Sequence, residues 1–341
     1  MRQTLARVLH PLGRLGSRTI TAGTLLLGVM TTAVVYEFCT DLLEKDVRLR
    51  FENDTGDVIQ QIDTRIRLYT DVLVTMQALF GASDHVSRGE FRDFVSGLNL
   101  PQRYPGFQTL NYAPYVPAAE IDAFVARERS DPILREAGVT FTVRPPGRRP
   151  GHFVLTYVEP LDNNLASIGI DMGAEPRRLA ALERARDTGQ SVSSGRLIFS
   201  EAKDPHVGIA LRLPVYRKVP DLNSVEARRR AYVGSVGAGI RVDGLLKDLV
   251  SSENLRRIRF RVHDAGDFAQ AAVPPSAANL LYDSVTGLAA GERSRGAGGS
   301  AVHASAAHGA TALAAGQAVP GTGQHDLANS VVRNFGGRRW W

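Results

Sequence analysis

The sequence predicts an α+β protein in which an N-terminal transmembrane helix and a long stalk helix precede two lobes. Three observations support this fold class. An uncharged segment near the N-terminus is long enough to span a membrane, and an apolar stripe at helical spacing follows it. Further along, short β-rich runs outnumber helical ones at irregular intervals, which suits α+β lobes better than a βαβ repeat. The length of 341 residues provides for one large domain or two lobes with hydrophobic cores.

The net charge of +6 is concentrated at the two ends of the chain. Residues 1–18 contain four arginines and the last nine residues contain three, with no acidic residue in either segment. The remainder therefore carries a net charge of −1. A nucleic-acid-binding protein places its positive charge on a folded surface, so we expect no nucleic-acid partner. The single cysteine, Cys39, excludes a disulfide framework and a cysteine-based zinc site.

The segment from Thr19 through Tyr36 has no charged residue and would span about 27 Å as a helix. Arginines precede it and acidic residues follow it, which orients the N-terminus toward the cytoplasm. We predict a cytoplasmic basic tail at 1–18, a transmembrane helix at 19–38 and a periplasmic remainder anchored in the inner membrane. A cleaved signal peptide and a buried core helix are the alternatives.

The apolar residues from Val58 to Phe80 recur at three- and four-residue steps, which predicts a helix of about six turns. This stripe can form the seam of a homodimer or pack against its own domain, and its spacing does not distinguish the two. Ser87 and Glu90 have the spacing of a capping box, which predicts that the next helix begins here. We assign residues 39–100 to this stalk and helical region.

The predicted lobes comprise residues 101–240 and 241–341. Seven β-rich runs and three helical runs fall within them. Residues 287–330 differ from the rest because half of them are alanine or glycine, whose side chains bury almost no apolar surface. We predict that this stretch is a low-complexity insertion within the second lobe.

The sequence contains no recognisable catalytic motif. The eight histidines are not spaced as zinc ligands, so we expect no metal and no cofactor. The run from Gly189 to Ser193 begins like a nucleophile elbow, but it follows a predicted helix instead of a strand. We expect no catalytic activity in this chain. An extracytoplasmic hydrolase that uses the cluster Ser191–Ser194 is the alternative.

A series of short motifs resembles the CHASE domain, the extracytoplasmic sensor module of membrane-bound histidine kinases and nucleotide cyclases. The motifs occur in order at Gly106–Tyr112, Tyr157–Leu161, Ile168–Asp171, Ala185–Gly189, Leu213–Tyr216 and Tyr232–Val236. The segment Phe335–Trp340 resembles the strand with which the exported region of such proteins ends. The resemblance implies two PAS-like α/β lobes with antiparallel sheets and a ligand pocket in the membrane-distal lobe, 101–240. It also implies a receptor role in signal transduction with a small-molecule ligand.

The resemblance also implies a ligand-binding residue. In plant cytokinin receptors of this family, an aspartate in the strand equivalent to Ile168–Met172 hydrogen-bonds the ring of the ligand, and Asp171 matches that position. The alternative is that Asp171 caps a helix or braces a turn. Pocket walls would come from alternate residues of neighbouring strands, although each candidate is equally consistent with ordinary core. The candidates are Phe107, Tyr157, Leu211 and Leu213. The run Gly237–Gly239 replaces an aromatic residue of the family pattern, so the plant ligand is not transferred.

Full-length relatives of this family cross the membrane again and carry a kinase or cyclase domain. The sequence contains no second apolar span, no phosphoacceptor-histidine helix and no cyclase GG(D/E)EF motif. We therefore expect a sensor without its output domain, either as a fragment or as a truncated reading frame. The alternative is a regulatory partner that dimerises with an intact receptor through the stalk helix.

Overall fold

The computed structural model describes residues 17–199, 206–219, 221–246, 258–285 and 327–341. Helices and antiparallel strand pairs share this part of the chain, which confirms the predicted α+β class. The predicted basic tail and the predicted insertion lie almost entirely outside the described residues. The chain divides into two units, of which the first contains the initial helix up to Gly56 and the second contains the rest of that helix and all the strands.

The initial helix, α1 (Ser17–Ala82), contains both predicted helical segments, and Gly56 does not interrupt it. In the first unit its large apolar side chains are exposed from Ile20 to Leu49. One window of α1 is long and apolar enough to cross a membrane. Threonine hydroxyls in this window donate to carbonyls four residues earlier, for example from Thr24 to Ile20 at 2.9 Å. These bonds satisfy the hydroxyl donors within the helix itself.

Seven shorter α-helices follow in the described part of the second unit. They are α2 (Arg88–Gly97), α3 (Leu100–Arg103), α4 (Ile121–Arg129), α5 (Pro132–Glu136), α6 (Pro176–Thr188), α7 (Val225–Ala231) and α8 (Val242–Leu246). The predicted capping box begins α2. The Ser87 hydroxyl accepts a hydrogen bond from the Glu90 amide at 3.2 Å, and the Glu90 carboxylate accepts one from the Ser87 amide at 2.8 Å.

The described strands form two sheets. They are β1 (Phe107–Pro117), β2 (Gly151–Phe153), β3 (Tyr157–Glu159), β4 (Val192–Phe199), β5 (His206–Tyr216), β6 (Tyr232–Arg241), β7 (Arg261–Asp267), β8 (Leu280–Asp283), β9 (Arg333–Phe335) and β10 (Arg338–Trp340). The larger sheet has the order β2-β1-β6-β5-β4, with β3 also pairing with β1. The smaller sheet has the order β8-β7-β10-β9.

Two of the seven predicted β-rich runs, at residues 139–143 and 167–171, are not strands in the structure. Residues 139–143 have no strand pairing, and in the second run Ile170 and Asp171 form only isolated bridges, with Arg144 and Val154 respectively. Conversely, the sequence does not predict β4, whose polar centre Ser193–Gly195 weakens the β pattern. That centre contains a register shift and a positive φ of 75° at Gly195, which glycine adopts without steric cost.

The central strands of the larger sheet have two differently packed faces. We call one the α1 face, because α1 covers it through buried residues such as Tyr69, Leu73 and Met76. Sheet residues on the α1 face include Leu110, Ile209, Leu211, Leu213, Val236, Ala238 and Ile240. The buried side chains of the α1 stripe therefore pack against their own domain. The opposite face packs against a separate cluster that includes Phe153, Met172 and Leu182.

Candidate ligand-binding site

The structure places four of the five predicted ligand-binding residues together, in the core between α1 and the larger sheet. They are Phe107, Tyr157, Leu211 and Leu213. The Phe107 ring lies 4.3 Å from the ring of Tyr69 on α1. The Tyr157 hydroxyl donates to the Val86 carbonyl at 3.0 Å, and burial raises the pKa of Tyr157 to about 12. Their contacts are those of a closely packed core.

Asp171 lies apart from these four residues and is almost completely buried. Its Oδ1 accepts hydrogen bonds from the amides of Phe153 and Gly173, both at 3.0 Å. Its Oδ2 lies 2.8 Å from His152 Nδ1 and accepts from Arg149 at 3.1 Å. The carboxylate therefore braces the short 3-10 turn that follows it, and protein groups occupy both of its oxygens.

A polar row crosses the sheet face opposite α1. Side chains alternate along a strand, so Arg212 points away from the face that Leu211 and Leu213 share. In the strand register Arg212 is directly opposite Gly237, and Gly237 is directly opposite Asn111. A Cβ atom at Gly237 would lie 2.6 Å from Cζ of Arg212, which shows that the guanidinium lies over the glycine backbone. We call this surface the Arg212 face.

The positive charge of Arg212 has no partner among the residues that the structure describes. Part of the residue reaches solvent, but its Nη1 atom is fully buried and has no hydrogen-bond partner in the described part of the chain. Burial lowers the pKa of Arg212 to about 10, with a further contribution from the charge of Arg178, so the guanidinium remains protonated at neutral pH. Burying a charge without a partner is costly, and native proteins rarely retain one without a functional reason.

Three further buried polar atoms on the Arg212 face also lack hydrogen-bond partners among the described residues. They are Oη of Tyr232, Oγ of Ser235 and Oδ1 of Asn111. Burial raises the pKa of Tyr232, whereas a weak contact between its hydroxyl and that of Ser235, and then the charge of Arg212, lower it. Because nearly all buried polar groups in native proteins are hydrogen-bonded, four such atoms on one face point to a missing partner.

Aromatic side chains pack around Tyr232, which lies close to Arg212. Phe153 lies 5.2 Å from Tyr115 and 6.1 Å from Tyr232, measured between ring centroids. The Tyr216 ring also lies 6.1 Å from the ring of Tyr232. Apolar walls around a few polar groups are typical of small-molecule sites. The Arg212 face therefore has the composition of a ligand site.

Arg212 was not singled out from the sequence as a candidate site residue, although its position there could have indicated it. Arg212 is the only charged residue in the run from Val207 to Tyr216, and apolar residues flank it on both sides. An unpaired charge in the middle of a buried strand could have been recognised as a candidate. Its position opposite Gly237 depends on the pairing of β5 with β6, which the sequence did not reveal.

The serine cluster Ser191–Ser194, on which the hydrolase alternative rests, has a local structural role. Ser193 is buried, and its hydroxyl accepts a hydrogen bond from the Gly195 amide at 3.2 Å. Its own amide donates to the Gly336 carbonyl at 2.8 Å, which joins β4 to the turn before β10. Within the described residues, no cluster of three or more histidine, cysteine or acidic side chains could hold a metal ion.

Comparison with known proteins identifies one family. The family model described as "CHASE domain" matches residues 84–282, which is more than half of the chain. A search of curated proteins finds no match.

Several solved structures are distantly similar. An extracellular ligand-binding receptor from Desulfohalobium retbaense DSM5692 has 12% identity and a TM-score of 0.37, and the match covers 67% of this chain and 32% of that one. The ligand-binding domain of the Pseudomonas aeruginosa PAO1 amino acid chemoreceptor PctC, in complex with GABA, has 13% identity and a TM-score of 0.36, with 70% and 76% covered. A protein titled methyl-accepting chemotaxis protein X has 13% identity and a TM-score of 0.38, with 65% and 73% covered. The chain thus spans about a third of the first of these structures.

Proposed function

This chain belongs to the CHASE domain family, and we propose that it binds a small-molecule ligand on the Arg212 face. The family membership makes it an extracytoplasmic sensing module of a membrane-bound signal transduction receptor. The observation that carries the ligand site is the group of buried polar atoms without partners around Arg212. A bound ligand would supply those partners and would displace water from the aromatic walls.

We further propose how the module is anchored and organised. The apolar part of α1 spans the inner membrane, and residues 1–18 remain on the cytoplasmic side. Residues 101–240 form the membrane-distal lobe and residues 241–341 the membrane-proximal one. The exposed side of α1, which carries Leu68 and Val74, supports pairing of two copies into a homodimer.

The ligand signal would reach α1 through direct contacts with the larger sheet. The Tyr69 hydroxyl accepts a hydrogen bond from the Gly106 amide at 2.8 Å, immediately before β1. The side chain of Gln77 donates to the Pro214 carbonyl, two residues beyond Arg212 on β5. A ligand that binds two positions of α1 unequally shifts the equilibrium between them.

The five residues predicted from the sequence, Asp171 from the family resemblance and four others from alternation along the strands, remain separate proposals. For Asp171 to bind a ligand, its Oδ2 would have to exchange the Arg149 contact for a ligand group. Arg149 keeps a quarter of its side-chain surface exposed and is the more accessible of the two partners at that oxygen. The other four residues would contact a ligand only if it bound between α1 and the larger sheet. They are Phe107, Tyr157, Leu211 and Leu213.

A thermal-shift screen of the full chain in lipid nanodiscs tests the proposed function. The probes are single metabolites from four classes: carboxylates, amines, purines and sugars. We expect at least one class to raise the melting temperature in a saturable way, since about 2.7 kcal/mol of stabilisation accompanies ligand at 100 times its Kd. Calorimetry then gives the affinity. If no class shifts the transition, the proposal that this domain is a small-molecule sensor is wrong.

A further inference from the structure

We propose that the ligand carries a carboxylate group and that Arg212 binds it. This inference rests on the proposed function, because it specifies the chemistry of the same site. Two features of the Arg212 face support it: a guanidinium whose charge no described residue balances, and hydroxyl donors beside that guanidinium.

A second buried arginine of this protein shows how a structural guanidinium is satisfied. Arg88 is 3% exposed, and all three of its nitrogens are engaged. Its Nε donates to Asp131 at 2.9 Å, its Nη2 to Glu128 at 3.0 Å and its Nη1 to the Thr156 carbonyl at 2.6 Å. Arg212 has no such bond to any described residue, and the charged or titratable groups that act on it are Arg178 and Tyr232. Neither is an anion at neutral pH, so no group in the described part of the chain brings a negative charge to Arg212.

The groups beside Arg212 are suited to an anion. The hydroxyls of Tyr232 and Ser235 are both buried and can donate to an acceptor. The Tyr232 hydroxyl keeps its proton at neutral pH, because burial raises its pKa. A planar guanidinium binds the two oxygens of a carboxylate with two parallel hydrogen bonds. Asn111 Oδ1 is an acceptor and would take a hydroxyl or N–H donor of the same ligand.

The charge balance favours a carboxylate over a phosphate. A carboxylate brings one negative charge to the single buried guanidinium of the site. A phosphate brings nearly two negative charges. The next cation, Arg178, is exposed, and its Nε lies 3.8 Å from a carboxylate oxygen of Glu175, so it does not balance the second charge. The rings of Tyr115, Phe153 and Tyr216 beside the polar row favour an aromatic or branched aliphatic body.

The first test measures stability without ligand. In the full chain in nanodiscs, Arg212→Met removes a buried charge that has no partner among the described residues, and we expect the melting temperature to rise by about 2–4 °C. The matched control is Arg88→Met, which leaves Glu128 and Asp131 without their cation and lowers the melting temperature. A lower melting temperature for Arg212→Met would assign Arg212 a structural role and would overturn the inference.

The second test measures binding by calorimetry. The probes are phenylacetate, 3-phenyllactate, phenylalanine and isovalerate, each compared with its primary amide, together with inorganic phosphate. We expect at least one acid to bind at least tenfold more tightly than its amide and to lose at least tenfold in affinity in Arg212→Met, as expected for a charge-assisted pair.

The outcomes separate this inference from the proposed function. If purines, amines or sugars bind and Arg212→Met binds them equally well, the sensor proposal stands and the carboxylate inference is wrong. If acids and amides bind alike, or if phosphate binds as tightly as the best acid, the assignment of a carboxylate is wrong. If no metabolite of any class binds, both fail.

Discussion

The side-chain amide of Gln77 on α1 donates a hydrogen bond to the backbone carbonyl of Pro214 on β5. This contact joins the helix that carries the apolar N-terminal segment to the strand that carries Arg212. Because Pro214 is only two residues from Arg212, a ligand that moves β5 would act directly on α1.

Replacing Gln77 with methionine tests this connection. The change keeps the length of the side chain but removes the donor, so we expect a loss of about 1 kcal/mol in the free energy of unfolding. Amide hydrogen exchange near the end of α1 should become faster. The control is Gln61→Met on an exposed position of the same helix, which should change neither quantity. Equal effects in the two variants would show that the Pro214 contact does not hold α1.

The Tyr69 hydroxyl is the acceptor for the buried Gly106 amide. In Tyr69→Phe this amide loses its partner, and an unsatisfied buried donor costs about 1–3 kcal/mol. Chemical denaturation of the full chain measures the loss. Tyr104→Phe is the matched control, since its ring also packs on Tyr69 but its hydroxyl makes no hydrogen bond with any described residue. We expect a change within about 0.5 kcal/mol for the control.

Gly169 is held in a conformation that only glycine tolerates at this position. Its φ is +82°, and a Cβ atom would lie 2.0 Å from the Thr142 carbonyl oxygen. Gly169→Ala should therefore cost more than about 2 kcal/mol, because it adds a clash with backbone to the strain of a positive φ.

Gly138→Ala isolates the strain without the clash. Gly138 has a similar φ of +68°, but a Cβ atom added there would meet no other atom within 4 Å. We expect a cost of about 1 kcal/mol for this variant. If chemical denaturation gave the same loss in the free energy of unfolding for both variants, the close approach between Gly169 and Thr142 would contribute nothing to stability.

Asp187 joins α6 to α7 and makes stability depend on pH. Hydrogen bonds from Arg229, and then from Arg186, hold the pKa of Asp187 well below its usual value of 3.8. The folded state thus binds the proton less readily than the unfolded state does. The stabilisation is complete above the unfolded pKa and is lost as the pH falls from there toward the folded pKa.

Acid titration of Asp187→Asn measures this contribution. Below about pH 4 the wild type should lose stability more steeply than the variant, and the two curves should converge as the pH falls further. At pH 7 the variant should be the less stable protein. Parallel curves across this range would contradict the role of the Asp187 ion pairs.

The parts of the fold that depend on local patterns were predictable. The capping box at Ser87 specified the start of α2, because its hydrogen bonds join residues only three apart. The apolar stripe predicted the helix now seen in α1, although its spacing left open what would cover it. The motifs from Gly106 to Val236 indicated the family that the comparison with known proteins then identified.

The five ligand-binding residues predicted from the sequence remain predictions. The motif match singled out Asp171, but the structure surrounds its carboxylate with protein donors. Alternation along β5 identified Leu211 and Leu213 as inward-facing without indicating which of the two faces was open to a ligand. The residue between them, Arg212, was passed over because a single charged residue in a strand usually faces solvent.

The amino-acid sequence by itself determined the helical periodicity, the apolar N-terminal segment and the α+β class, which follow from contacts between near neighbours and from composition. Its motifs resemble those of the family that the comparison with known proteins identified. Tertiary structure decided which sheet face α1 covers and where the charge of Arg212 lies. Both depend on strand register, since the pairing of Arg212 with Gly237 and of Gly237 with Asn111 joins residues far apart in the chain. Only that pairing brings a buried guanidinium, two hydroxyls and a ring of aromatic side chains to one surface.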